Sequence, residues 1–359
     1  MNKRKFKKAI RRVINLPRGK YLFLYIANKI KHFYFKSIKS TRVAYPSTIM
    51  LELTNHCNLA CTTCPREYDY GKAMDKGQMN LESAKKIIDE LWPYLDSIGL
   101  TGMGETFLYK ELDEIVDYIK NKNKGIVISV STNAVLLNFI DQVSKVIGKI
   151  DTIQISIDGI ENVYESIRKN ASFQKLDENL RILSKLSENT STDLMLNMVV
   201  TKENYVQMPL LVKYAEEIGI TYLDFTLLNL ASVTNIEQSY YDFYKSSDFT
   251  NVLSILEENI NQTPKVIVTE RNFKTNNSFQ KCPFPWTHFY ICWNGFIAPC
   301  CAKPFPKELN FGNVFDDSML NILNSISYRE FRNLWYKNMT PDFCCKCHFI
   351  NIEPIKNNL

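Results

Sequence analysis

From residue 47 onward, short apolar runs alternate with longer stretches in which apolar side chains recur every three or four positions. The short runs at 49–53, 97–100, 125–131, 152–157, 194–200 and 222–227 read as strands. The stretches at 80–95, 112–121, 136–146, 173–187 and 205–219 read as helices. In the first of these, Leu81, Ala84, Ile87, Ile88 and Leu91 share one face, and Asn80 stands before them as a cap. Such alternation builds a parallel sheet, because parallel neighbours need a crossover long enough to hold a helix. Six strand-helix units are two short of a closed eight-stranded barrel. The expected fold is therefore α/β, a partial (β/α)6 barrel of the TIM type, with its ligands at the carboxyl ends of the strands.

Outside the barrel, expected over 47–230, the rhythm is lost. Residues 1–46 form a basic arm, 231–280 a polar connector with one helix at 249–261, 281–351 a cysteine-rich module and 352–359 a tail. The chain has 359 residues, 45% of them hydrophobic and 23% charged, so it can bury a substantial core. The net charge of +6 is unevenly placed: 14 of the 44 Lys and Arg lie in residues 1–51, which hold no acid before Glu52, so the rest of the chain is acidic. Phe6, Ile10, Val13, Ile14, Leu22, Tyr25, Ile26, Ile30 and Phe33 lie among those cations. Such an arm suits an anionic membrane surface, a nucleic acid, a carrier or a plain solvated extension. The apolar segment 21–28 is far shorter than the roughly 20 residues of a spanning helix, and no signal-peptide pattern precedes it. A cytoplasmic protein, at most peripheral to the membrane, is expected. Ten cysteines in such a chain point to metal ligation rather than to disulfides.

Three of those cysteines, Cys57, Cys61 and Cys64, fall within eight residues, in the run His56-Cys57-Asn58-Leu59-Ala60-Cys61-Thr62-Thr63-Cys64-Pro65. A 4Fe-4S cluster normally takes four thiolates and a structural zinc four Cys or His ligands. Three thiolates on one loop hold three corners of a cubane and leave one iron open to chemistry. A zinc knuckle using His56 is the alternative, although His56 abuts Cys57 and makes a shared tetrahedral site awkward.

The C-x3-C-x2-C spacing resembles the signature of the radical S-adenosylmethionine superfamily, in which the open iron chelates the amino and carboxylate groups of the cofactor. Successive strand ends extend the resemblance. Gly102-Met103-Gly104-Glu105 is similar to the glycine-rich motif that contacts the methionyl amine, with Met103 and Thr106 departing from the usual Gly-Gly-Glu-Pro. Ser131-Thr132-Asn133 resembles the ribose-side motif. Ser156-Ile157-Asp158-Gly159, with Arg168 in a following helix, resembles the motif whose Arg lies near the cofactor carboxylate, and Asn197 in a later strand is a further pocket residue. Taken alone, each of these is ordinary turn chemistry.

After Lys281 come seven of the ten cysteines. Cys282 is followed after twelve residues by Gly295, then after four by Cys300, and Cys344 and Cys347 form a C-x2-C pair. This resembles the SPASM or twitch extension, with Trp293-Asn294-Gly295 and Phe311-Gly312-Asn313-Val314 adding to the likeness. It implies one auxiliary 4Fe-4S cluster on Cys282, Cys300, Cys344 and Cys347, with the neighbours Cys301 and Cys345 able to shift the assignment by one and Cys292 left over. A four-thiolate zinc site is again the alternative.

The resemblance spans 47–351 and implies a reaction. A reducing partner such as flavodoxin or ferredoxin would supply an electron for reductive cleavage of S-adenosylmethionine, and the resulting 5′-deoxyadenosyl radical would abstract hydrogen from the carbon of a small or conjugated substrate. The auxiliary cluster would then accept an electron. No peptide-recognition domain precedes the barrel, which favours dehydrogenation of a polyol, sugar or sugar conjugate, as in a single-cluster twitch dehydrogenase. Ribosomal-peptide crosslinking or epimerisation is the alternative, and a zinc protein holding nucleic acid is the competing class. His288 and His348 lie in the last module, but nothing in the sequence selects a catalytic acid or base.

Overall fold

The computed structural model describes residues 10, 13–229, 240–270, 281–344 and 347. Residues 231–239 and 271–280 of the connector, the tail, Cys345 and His348 lie outside the described residues. Eleven strands are formed among the described residues: β1 (Thr48–Leu51), β2 (Ala60–Cys61), β3 (Ser97–Leu100), β4 (Val127–Thr132), β5 (Thr152–Ser156), β6 (Arg168–Lys169), β7 (Asp193–Val200), β8 (Tyr222–Leu227), β9 (Ile267–Glu270), β10 (Phe289–Ile291) and β11 (Ile297–Ala298). The six expected strands are β1, β3, β4, β5, β7 and β8, and the chain has the parallel α/β architecture of a partial barrel.

Two compact units form. The first gathers residues 1–56, 74–129 and 282–343, and the second 57–73, 130–281 and 344–359, so that β4 begins in one and ends in the other. In the first unit β1 lies between two parallel neighbours, with Ile49 opposite Ile98 of β3 on one side and Phe289 of β10 on the other. The cysteine-rich segment thus contributes a strand beside β1, and β10 turns back into β11 as an antiparallel pair. Tyr290, Cys292 and Ala298 pack there in a small core with Met50, Phe296 and Cys301 against them. Cys292 is a buried small apolar residue whose thiol donates to the Pro304 carbonyl at 3.7 Å.

In the second unit β5, β7, β8 and β9 run parallel, with Ser156 opposite Asn197 and Leu196 opposite Leu223. Burial alternates along β4 and β5: Val130, Ile153 and Ile155 are fully buried, while the other face carries Ser131, Gln154 and Ser156. A period of two therefore sorts apolar side chains to the helix-covered face and small polar ones to the opposite face.

Helices cover the buried faces. Leu81–Leu91 starts where the Asn80 side chain accepts from the Glu82 and Ser83 amides, and buries Ala84, Ile87, Ile88 and Leu91. The helix expected over 136–146 is reduced to Phe139–Ser144, and that over 205–219 opens with a 3-10 turn before Met208–Glu217. Pro209 suits the first turn of the latter, where its missing N–H leaves no bond unmade. Arg332 is enclosed in the first unit with no carboxylate partner among the described residues: it donates to the carbonyls of Pro285, Thr41 and Leu323 at 2.7, 3.1 and 2.6 Å and lies 4.0 Å from the Tyr328 ring centroid.

Candidate functional site

The cysteine loop belongs to the second unit and is fastened at its middle. Cys61 of β2 pairs antiparallel with Arg168 of β6, and the Thr62 amide donates to the Ile167 carbonyl at 2.9 Å. Arg168 was expected in a helix; the helix Glu161–Ile167 ends just before it, because Arg168 takes φ −95 and ψ 77 and uses its backbone in that pairing. The loop closes as the Cys64 amide donates to the Cys61 carbonyl at 3.0 Å and the turn Pro65–Glu67 begins.

Donors converge on the sulfurs. Arg168 Nη1 stands 3.9 Å from Cys61 Sγ, and Asn133 Nδ2 lies 3.9 Å from Cys57 Sγ while donating to Asn58 Oδ1 at 2.8 Å. Burial pushes the Cys61 thiol up to about 12, partly opposed by the Arg168 cation. Burial likewise raises Cys64 to about 11, against the Arg66 N–H that donates to it. Thiols so raised keep their protons until a metal displaces them, and the nearby donors then favour the thiolates. Among the described residues no three His, Cys, Asp or Glu side chains converge on one ion, whereas a cubane asks for only one thiolate at each iron.

Asp158 is fully enclosed. Its Oδ1 accepts from the Val199 amide at 2.9 Å and its Oδ2 lies 2.9 Å from Arg168 Nη2, so it fixes the guanidinium. Burial opposes the Arg168 charge, yet Asp158 and Cys61 hold its pKa above the ordinary value. At the neighbouring strand ends Ser131 Oγ meets Gln154 Oε1 at 3.4 Å, and Ser156 stands beside Asn197.

Several buried polar atoms of this unit have no hydrogen-bond partner among the described residues: Arg66 Nε and Nη1, Arg168 Nε and Asn197 Oδ1. Leaving such groups unmade costs about 1–3 kcal/mol each. Two guanidiniums and an amide held in this condition, one next to Cys64 and one against Cys61, suit a polar, partly anionic molecule bound at the loop. Arg66 was not singled out in the sequence; its only signal is an Arg two residues after the third cysteine.

The glycine-rich segment belongs to the first unit. A Cβ at Gly104 would come within 2.5 Å of the His56 and Thr54 carbonyl oxygens and 2.7 Å of Asn55 Cα, all backbone atoms with little freedom to yield. Gly104→Ala is accordingly expected to cost about 1–3 kcal/mol through overpacking. Gly99→Ala, whose nearest neighbour would lie at 3.5 Å, should unfold close to wild type in the same thermal melts. Glu105 is buried and caps the turn Thr106–Leu108, accepting from Phe107 N at 3.2 Å, while its own amide donates to His56 O at 2.8 Å.

Glu52 is a second residue that sequence reasoning passed over. It is buried at the end of β1, where Oε2 accepts from Met103 N at 2.7 Å and Tyr290 Oη at 2.6 Å, and Oε1 from Trp293 N at 3.3 Å. A Cβ at Gly102 would stand 2.3 Å from Glu52 Cγ, so glycine there makes room for the carboxylate. One acid therefore holds together the glycine segment, β10 and the turn after it. An acidic side chain inside the apolar run Ile49-Met50-Leu51-Glu52-Leu53 was the available signal.

The four cysteines of the C-terminal set divide between the units, Cys282 and Cys300 in the first and Cys344 and Cys347 in the second. Burial raises Cys282 to about 11. The Cys301 thiol, followed by the amides and cation of the Ala302–Lys303 segment, draws Cys300 below its ordinary value. Asn229 Nδ2 lies 3.9 Å from Cys347 Sγ.

Residues 51–214 match the radical SAM superfamily, and residues 282–348 match the SPASM iron-sulfur cluster-binding domain. The chain is 25% identical over 320 residues to the tungsten-containing aldehyde ferredoxin oxidoreductase cofactor-modifying protein of Pyrococcus furiosus, covering 83% of this chain and 86% of that one. It is 24% identical over 318 residues to the antilisterial bacteriocin subtilosin biosynthesis protein AlbA of Bacillus subtilis, covering 87% and 67%. Streptococcus suis SuiB, solved bound to its precursor peptide SuiA, shares the fold with a TM-score of 0.64 at 18% identity, covering 85% and 70%.

Proposed function

We propose that this chain, a radical S-adenosylmethionine enzyme with a C-terminal SPASM domain, modifies a peptide. The observation that carries this reading is the likeness to AlbA along 87% of the chain, a protein named for the biosynthesis of a bacteriocin. It displaces dehydrogenation of a polyol or sugar as the favoured reaction. The Pyrococcus relative, named for modifying a cofactor, supports a second reading in which the substrate is a cofactor precursor.

When bound, the open cluster and S-adenosylmethionine supply a 5′-deoxyadenosyl radical able to take hydrogen from an unactivated carbon, and the SPASM cluster offers a site for electron transfer. In this reading Cys57, Cys61 and Cys64 hold the first cluster, and Cys282, Cys300, Cys344 and Cys347 the second. Arg168, fixed by Asp158, and Arg66 face anionic groups of the cofactor. Ser131, Asn133, Ser156 and Asn197 offer hydrogen bonds at the strand ends, with Asn133 also donating toward Cys57. Gly102 and Gly104 bring backbone near the cofactor amine while Glu105 braces their turn. Flavodoxin or ferredoxin would deliver the electron.

The reading is tested with anaerobically reconstituted protein, S-adenosylmethionine, dithionite and short peptides encoded beside its gene. Peptide-dependent 5′-deoxyadenosine together with a mass change in the peptide is the expected result. Formation of 5′-deoxyadenosine that no peptide stimulates but a cofactor precursor does would move the assignment to the second reading.

A further inference from the structure

Among the described residues, the helix α1 (Lys20–Ser37) is bound to the first unit by one face. On that face Tyr25 donates to Asp96 at 2.7 Å, Lys29 pairs with the same carboxylate at 2.5 Å, and Tyr21 packs against Trp92 with ring centroids 4.5 Å apart. Asn28 is buried and bonds both ways with the Tyr45 backbone, at 2.9 and 3.1 Å. These contacts fix the rotation of the helix about its axis.

The outward face is apolar. Phe23, Ile26, Ile30 and Phe33 are 74%, 48%, 62% and 76% exposed, and their spacing of three, four and three residues places them in one stripe. Tyr34 and Ile38 extend it, and Ile10, Val13 and Ile14 upstream are exposed as well. Around it stand Arg18, Lys20, Lys31, Lys36, Lys39 and Arg42, all exposed, in a segment that has no acid until Glu52. A soluble surface seldom leaves so many large apolar side chains uncovered in one row.

We propose that α1 is an interfacial membrane anchor that lies flat on an anionic lipid surface, its stripe at the level of the acyl chains and its lysines among the headgroups. Both halves of the surface enter this choice. A nucleic acid would use the cations but leave the phenylalanines and isoleucines in water, since phosphate contacts carry such binding. A second copy of the chain would bring two cationic rims together. Only an anionic bilayer satisfies the stripe and the rim at once. Eighteen residues make a helix about 27 Å long, enough to hold its orientation on the bilayer. No helix among the described residues is long and apolar enough to cross a membrane, so the contact is with the surface.

The test is co-sedimentation of the full chain with phosphatidylcholine vesicles, either neutral or containing about one-quarter phosphatidylglycerol. Sedimentation with the anionic vesicles, little with the neutral ones, and weakening as salt is raised are expected. Phe33→Asp should lower the affinity about tenfold or more, and Lys31→Gln with Lys36→Gln about fivefold for each charge removed. All three side chains are exposed, so the variants should keep the wild-type melting temperature, and a melt checks that they fold. Equal binding to neutral vesicles, no binding to either, or a dimer in size exclusion that Phe33→Asp dissolves would each overturn the proposal.

Discussion

Cys61→Ala is expected to abolish the formation of 5′-deoxyadenosine from S-adenosylmethionine while leaving the SPASM cluster in place. The Cys61 backbone pairs with Arg168 and its sulfur receives the Arg168 guanidinium. Without it, two thiolates remain on the loop and the cubane loses one of only three anchors. Losing a partner outside the ligand sphere commonly costs a metal site about 10–100-fold, so loss of the ligand itself should cost more than about 100-fold in cofactor cleavage. Iron and sulfide analysis should find about four fewer irons per chain than in wild type. Cys292→Ala is the control: that thiol is buried among apolar neighbours and should be indifferent for both readouts. Undiminished cleavage by Cys61→Ala would remove the ligand assignment.

Glu52→Ala should have the largest effect on stability and a second, separable effect on activity. It strands two backbone amides and the Tyr290 hydroxyl in a buried site, each at about 1–3 kcal/mol. A fall of about 5 °C or more in the melting temperature is expected. Glu52→Gln keeps the size and one acceptor oxygen, which can still serve Met103 and Tyr290, but turns an amide donor toward the Trp293 N–H. It should recover much of the melting temperature. If the carboxylate also sets the position of the glycine segment, Glu52→Gln should still raise the S-adenosylmethionine concentration needed for half-maximal cleavage. Wild-type concentration dependence in a stable Glu52→Gln would leave Glu52 a purely structural residue.

The barrel strands were legible because a buried parallel strand reads as an apolar run and each crossover helix repeats every three or four residues. The cysteines were legible because metal ligands must be thiolates at restricted spacings. Arg168 was found, but its local structure was misread: a helical pattern gives no warning that Cys61, far away in sequence, will claim the backbone after Ile167. Arg66 and Glu52 left only weak signals for a related reason. A charged residue in a sequence looks solvated, and its burial shows only when Met103, Tyr290 and Trp293 are seen to arrive from three other places in the chain. The strand that β10 places beside β1 was missed as well, because three residues leave almost no periodic trace.

That short strand also sets a timetable. On a ribosome Tyr290, which bonds the carboxylate at the end of β1, is added 238 residues after that carboxylate. At about 5–20 residues per second the delay is about 12–48 seconds, and throughout it one edge of β1 stays unpaired and Glu52 lacks the Tyr290 and Trp293 donors. The nascent amino-terminal half is thus an incomplete sheet with an open edge, a form that invites association with other chains, and only the arrival of the cysteine-rich segment closes it.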